Sequence, residues 1–259
     1  MGPLARQIKA TQVPAGRVAL FSLAQAGFCV KAGGATVFLD AYLSDACERL
    51  FGFRRLIPAP LAVEEVEAAL WASTHAHADH LDPDALPILA WRRGTHFLGA
   101  ADCAPAYREL GLPAERCTVL KVGESASLQG IKVVATYADH GDLAPEAIGL
   151  HLECGGVSIY HVGDSAYAPE RILASLPGPV DIMISPINGQ FGNMDAEETC
   201  RLGALVRPRL LVACHFGMFA EHGGDPGAFL AAGRELPEGV RPVVMAPGEK
   251  LLWPPAEQE

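Results

Sequence analysis

Within the six residues His75-Ala76-His77-Ala78-Asp79-His80 the chain places three histidines and an aspartate, directly after the segment Leu70-Trp71-Ala72-Ser73-Thr74. In extended backbone the side chains alternate, so His75 and His77 face the same way and can chelate one ion. Asp79 and His80, where the chain turns toward a helix, can address a second site beside it. Imidazole and carboxylate without thiolate suit zinc, manganese or iron better than a sulfur-seeking ion. Four donors do not fill two sites, so further ligands are expected at other strand ends. Three stand out: His140 after Ile131–Tyr137, Asp164 in the turn Gly163-Asp164-Ser165, and His215 after Leu210–Cys214. With Asp164 bridging, one ion receives His75, His77, His140 and Asp164, and the other Asp79, His80, His215 and Asp164. Two such cations lower the pKa of a shared water toward neutrality, which is hydrolytic chemistry with Asp79, His80 and Asp164 as the catalytic residues.

The elements that must position these donors follow from local pattern. Strands are predicted over 18–24, 27–31 and 36–40, with Gly33-Gly34 as the turn between the last two. The strand at about 68–73 runs into the histidine segment, after which Asp82-Pro83 reads as cap and first residue of a helix to about Arg92. Strands at 96–99, 118–122 and 131–137 alternate with a helix near 105–110. A hairpin, 149–154 with 157–161, precedes a helix from Pro169, a strand at 180–185 and a helix opened by an Asp195/Glu198 capping box. Strand 210–214, a helix from Asp225-Pro226, and strands near 243–244 and 250–253 complete the chain. Hairpins plus α/β alternation in both halves predict two mixed sheets face to face with helices outside, an α/β architecture. No internal sequence repeat or linker is visible, so residues 1–259 are read as one hydrolase domain.

Composition narrows the partners. The 30 acidic residues outnumber 20 basic ones and no Lys/Arg cluster exceeds a pair, which argues against a nucleic-acid backbone as ligand. No apolar window reaches the roughly 20 residues of a membrane helix, and the N-terminus shows no secretory signal, so the expected location is the cytoplasm. Seven scattered cysteines, none spaced C-x-x-C, fit reduced, buried side chains rather than disulfides or a thiolate zinc site. A homo-oligomer is left open.

In order, H-x-H-x-D-H at 75–80, His140, the Asp164 turn and His215 resemble the ligand pattern of the metallo-β-lactamase superfamily, over roughly residues 18 to 253. The resemblance implies a four-layer αββα sandwich and a dinuclear site for two divalent ions, Zn²⁺ or Mn²⁺ with Fe²⁺ as a further option. The stretches THAHADHLDP, ERCTVLKVGE, IYHVGDSAY, NMDAEET and HFGMF are similar to the L-ascorbate-6-phosphate lactonase branch. That implies opening of a lactone or related ester on a sugar-acid-like, phosphorylated substrate. Asp40, at the end of its strand as an acidic residue is in related proteins, is expected to accept a hydrogen bond from a ligand imidazole and fix its orientation.

Two M²⁺ less two carboxylates and a hydroxide leave the site positive, so an anionic small molecule is the expected substrate. Asn188, Gln190 and Asn193 in a strand-end loop, Tyr167 after the Asp164 turn, and His222 are the candidate substrate contacts, with His222 a proton donor to the leaving group. His96, His151 and His161 lack partner spacing and read as structural. A bimetal site attacks phosphorus as well as carbonyl carbon, so a phosphodiesterase or phospholipase-type hydrolase is the alternative, and a non-catalytic metal-binding protein a further one.

Overall fold

The computed structural model describes residues 1–255. Fourteen strands form two seven-stranded sheets. In chain order they are β1 Val18–Ser22, β2 Phe28–Ala32, β3 Ala35–Leu39, β4 Leu70–Ser73, β5 His96–Ala100, β6 Cys117–Leu120, β7 Ser125–Leu128, β8 Ile131–Tyr137, β9 Ile148–Cys154, β10 Val157–His161, β11 Ile182–Pro186, β12 Leu210–Cys214, β13 Arg241–Val243 and β14 Lys250–Trp253. The helices are α1 Pro3–Ala10, α2 Ala46–Phe51, α3 Ala78–Leu81, α4 Ala85–Trp91, α5 Cys103–Glu109, α6 Pro169–Ser175, α7 Ala196–Val206 and α8 Pro226–Ala232.

Sheet one runs β14-β1-β2-β3-β4-β5-β6 and sheet two β13-β12-β11-β10-β9-β8-β7. Each is antiparallel through its hairpins and parallel from its central strand, β3 or β10, onward. The topology therefore repeats although the sequence does not. Helices α1, α4 and α5 cover sheet one and α6, α7 and α8 cover sheet two, giving the αββα layering. Alternation decides which side chains go where. On β12, Leu210, Val212 and Cys214 enter the core shared by both sheets, while Leu211 and Ala213 pack under the helices. No described helix is long and apolar enough to cross a membrane.

Most boundaries agree with the sequence reading to within one or two residues. One helix divides. Asp82 adopts φ +52°, ending α3 in the left-handed region, and its carboxylate accepts from Ala85 N at 3.1 Å to start α4. That carboxylate also accepts from Leu43 N, Ser44 N and Ser44 Oγ at 2.7, 3.1 and 2.6 Å, so the expected cap is a buried junction between two segments. The Asp195/Glu198 capping box and the Asp225 cap form as expected.

Candidate metal centre

Strands β1, β3 and β4 of one sheet and β8, β10, β11 and β12 of the other finish at a common rim. Main-chain bonds join the two sides there, from Ile148 N to Thr74 O at 3.0 Å and from His215 N to Gln25 O at 2.8 Å. His75, His140, Asp164 and His215 follow β4, β8, β10 and β12, and Asp79 and His80 sit on α3. Among the described residues, six of the eight non-glycine residues with positive φ cluster around this rim: Ala24, Gln25, Asp40, Asp82, Phe191 and His215. Backbone held in this costly region persists only where the surroundings over-determine it, as at ligand sites.

The seven expected donors converge. One atom from each residue lies within 4.8 Å of its partners in the triads His75–His77–His140, His75–His80–Asp164 and Asp79–His80–His215. Asp164 stands between the outer two: Oδ2 is 3.2 Å from His215 Nε2 and 3.7 Å from His140 Nε2, and Oδ1 is 3.3 Å from His80 Nε2. Asp79 Oδ2 lies 3.6 Å from His215 Nε2 and 3.7 Å from His80 Nε2. Donors bound at about 2.0–2.2 Å in a tetrahedral shell stand roughly 3.4 Å apart, which is this spacing. His80 Nε2, both His140 nitrogens and Asp164 Oδ1 are buried without a hydrogen-bond partner. Unpaired, each costs ~1–3 kcal/mol, a cost that cations at those atoms remove. The residues present fit divalent ions.

A supporting shell fixes the imidazoles. His80 Nδ1 donates to Asp40 Oδ2 at 2.8 Å, and the same carboxylate accepts from Thr74 N and Thr74 Oγ1, both at 2.7 Å. His77 Nε2 donates to Leu143 O at 3.2 Å, and His75 Nδ1 lies 3.1 Å from Thr74 Oγ1. Each ring thus spends one nitrogen on the protein and turns the other to the cluster. His161 is structural: Nε2 donates to Ala26 O at 2.8 Å and Nδ1 accepts from Gly163 N at 3.0 Å. Gly163, at φ +71°, has no room for a Cβ, which would lie 3.0 Å from Ile148 O and from Thr74 Cβ.

Burial opposes charge throughout the cluster, and the neighbours decide the outcome. Burial acts to lower the His80 pKa, yet Asp164, Asp40 and Asp79 carry it well above that of a free imidazole. Burial acts to raise Asp164, yet His215 and His80 hold it well below the usual carboxylate range. Asp79 is lowered in the same way by His80 and His215. Burial, reinforced by His80, puts His75 well below 6.5, and burial lowers His140 to about 4.

The cavity at this rim holds about 280 Å³ and is lined by His77, Asp79, His140, Asp164, His215 and His222 on one side and by Phe51, Phe53, Leu143 and Phe191 on the other, with Ala78 and Cys47. Of the candidate substrate contacts, His222 alone lies in this wall. Its ring stacks on His215 at 5.0 Å, and burial lowers its pKa to about 4. Its Nδ1 accepts from Gln25 Nε2 at 2.7 Å, so the ring proton sits on Nε2 and can donate a hydrogen bond. Asn188 Nδ2 donates to Gln190 O within its own loop, and Asn193 is buried with no side-chain partner. Gln190 is exposed, and Tyr167 packs beside α7 under Arg201, whose guanidinium carbon is 5.0 Å from the ring centre. None of these four lines the cavity.

Gln25 was not visible in the sequence as a site residue. Its buried amide donates to Asp79 Oδ2 at 2.9 Å as well as to His222, tying the β1–β2 loop to the cluster.

Comparison with known proteins agrees with this architecture. Residues 36–216 match the profile of a Beta-lactamase superfamily domain. A UPF0173 metal-dependent hydrolase of Aeropyrum pernix is 30% identical over 244 residues, covering 88% of this chain and 94% of that protein. One from Thermococcus onnurineus is 29% identical over 225 residues, covering 81% and 97%. Igni18, a metallo hydrolase from Ignicoccus hospitalis, superposes with a TM-score of 0.75 at 23% identity, over 92% of this chain and 98% of that one. The chain belongs to the metallo-β-lactamase superfamily. Its relatives within it carry the name metal-dependent hydrolase.

Proposed function

We propose that this protein is a hydrolase holding two divalent ions, zinc or manganese with iron the further option, and that it opens a lactone or related carboxylic ester. The observation that carries the reading is the set of three overlapping triads with Asp164 between the outer two, and the unpartnered donor atoms buried there. When bound, the ions supply a water ionised near neutral pH and positive charge for the oxygen that gains electrons.

The chain's own residues do the rest. His75, His77 and His140 hold one position and Asp79, His80 and His215 the other, with Asp164 shared. Asp40 keeps the His80 Nε2 lone pair aimed inward by taking the proton on Nδ1. Gln25 holds Asp79 and His222 in register, and His222 offers its Nε2–H to the departing oxygen. No serine or cysteine nucleophile is needed, and Cys47 in the cavity wall has its thiol pKa pushed up to about 12 by burial.

The lactonase resemblance supports the ester or lactone as the reacting group. The phosphorylated sugar acid has less support, because none of the cavity-lining residues is Lys or Arg. Turnover of a lactone and aryl-ester panel against bis-aryl phosphodiesters, with Zn²⁺, Mn²⁺ and Fe²⁺ each supplied, tests the reading. Preference for the carbonyl panel supports it. Preference for the phosphodiesters replaces it with the phosphodiesterase alternative, and no turnover of either removes the hydrolase.

A further inference from the structure

The wall opposite the donors is aromatic and continuous. Phe53 is its centre: its ring lies 6.2 Å from Phe51, 6.1 Å from Phe191 and 6.2 Å from Phe219, and meets His222 edge-on at 5.5 Å and 85°. Phe191 lies 5.1 Å and Phe219 4.9 Å from the same His222 ring. This chain of rings starts on His222, itself stacked on His215, and ends at the mouth with Phe51 and Phe191, 60% and 43% exposed. Leu143, 55% exposed, closes the mouth beside His77, whose Nε2 its carbonyl receives.

Four separate segments build this wall: the end of α2 and the residues after it, and the loops following β8, β11 and β12. Large apolar side chains left in water at a pocket mouth cost solvation unless something apolar covers them. Apart from bound ions at the donor cluster, no side chain of the wall offers a positive charge to bind. Phosphate or carboxylate recognition rests on Arg, Lys or clustered backbone donors, and none of the lining residues is Arg or Lys. The volume, about 280 Å³, is at the lower limit of ordinary small-molecule pockets, which run from about 300 to 1,000 Å³.

From these observations we infer that the substrate is a small, uncharged ester or lactone carrying an apolar acyl or aryl group, which lies along Phe51, Phe53, Phe191 and Leu143 while its carbonyl faces the donor cluster. This rests on the hydrolase reading above and adds the chemistry of the non-reacting part. Phe191 and Phe51, which both pack on Phe53 at the mouth, set how long that group can be.

The test uses the metal-loaded, full-length protein and two readouts. In the first, kcat/KM is measured for γ-lactones with side chains from methyl to hexyl, beside lactones bearing a carboxylate or phosphate. An increase of about fourfold per methylene is expected until the cavity is filled, the factor corresponding to ~0.8 kcal/mol per buried CH₂. Charged lactones should fall below the methyl compound. Phe191→Ala and Phe51→Ala should lower the hexyl-to-methyl ratio at least tenfold. In the second, calorimetric Kd values are measured for the corresponding alkyl-substituted lactams, which are not turned over. The Kd should fall by the same factor per methylene and lose that dependence in Phe191→Ala.

A flat alkyl series in both readouts, or a preference for the charged compounds, overturns the inference. Lactam binding that deepens with chain length while no lactone or ester is hydrolysed leaves the apolar site standing and removes the hydrolase reading instead. Phe53→Leu, which keeps apolar volume, should retain most of the chain-length dependence. If it alone abolishes that dependence while Phe191→Ala and Phe51→Ala do not, the mouth residues are not the determinants.

Discussion

Asp40, at the end of β3, and His80, on α3 beyond the neighbouring parallel strand β4, are both fully buried and meet with Oδ2 and Nδ1 separated by 2.8 Å. This contact fixes which nitrogen of His80 faces the cluster. Replacing Asp40 with Ala is expected to lower metal affinity about 10- to 100-fold, as loss of such an outer partner generally does. It also leaves three donors unsatisfied, from Thr74 N, Thr74 Oγ1 and His80 Nδ1. Asp40→Asn should keep much of the fold stability while still weakening metal retention. Metal content together with urea unfolding separates the two effects, and unchanged metal content and activity in Asp40→Ala would dispose of the role.

Gln25 holds His222 through one amide proton and Asp79 through the other. If His222 Nε2–H stabilises the departing oxygen, His222→Gln should cost about 10- to 100-fold in kcat, the value of a hydrogen bond to a charged group. Gln25→Ala should produce a similar loss together with weaker metal binding, because Asp79 is released. Intact turnover in His222→Gln would exclude the ring from the reaction.

Protonation predicts an optimum for the metal-free protein. His75 lies well below 6.5 when folded and His140 and His222 lie at about 4, so between about pH 4 and 6.5 the unfolded chain binds protons that the folded one refuses. Stability therefore falls as pH drops through this window, by up to ~1.4 kcal/mol per pH unit for each group. His80 works in the other direction: its raised pKa gives stability that is complete below 6.5 and is lost as pH climbs through the folded value. Asp164 adds stability above its ordinary pKa near 3.8 that is lost only in stronger acid. Urea midpoints of chelator-treated protein across pH 4–9 should peak near 6.5. His140→Gln should flatten the acid side and His80→Gln the alkaline side; a monotonic profile would contradict these assignments.

Asp82 ties the segment after β3 to the start of α4 through four accepted hydrogen bonds, and burial raises its pKa. Asp82→Ala should destabilise the fold by on the order of 3 kcal/mol, since buried donors are left unmade. A change below about 0.5 kcal/mol in urea unfolding, the range of ordinary surface substitutions, would show that water replaces the carboxylate there.

Much of this arrangement was legible because its signals are local or sit at strand ends. His75, His77, Asp79 and His80 occupy one segment, and β8, β10 and β12 are largely apolar runs whose ends are marked by His140, Asp164 and His215. What escaped depends on contacts between distant segments. Gln25 is a lone amide in a loop, and only the fold sets it against Asp79 and His222. Phe51, Phe53 and Phe191 read as scattered apolar residues, since no periodicity links residues 53 and 191. Strand β7, Ser-Ala-Ser-Leu, is half exposed at a sheet edge and shows little apolar pattern, and α1 is eight residues with a Pro at its start. The candidate contacts Asn188, Gln190, Asn193 and Tyr167 lie outside the cavity lining: the Asn188 amide bonds within its own loop and Tyr167 packs beside α7, placements that their polar types alone do not reveal.

Metal content tests the central claim most directly. Protein purified without chelator, then resupplied with Zn²⁺, Mn²⁺ or Fe²⁺ and desalted, should carry two equivalents of divalent ion per chain by inductively coupled plasma mass spectrometry, falling to one or less in Asp164→Ala. Trace occupancy after resupply with every ion, in protein that remains folded, would contradict the account.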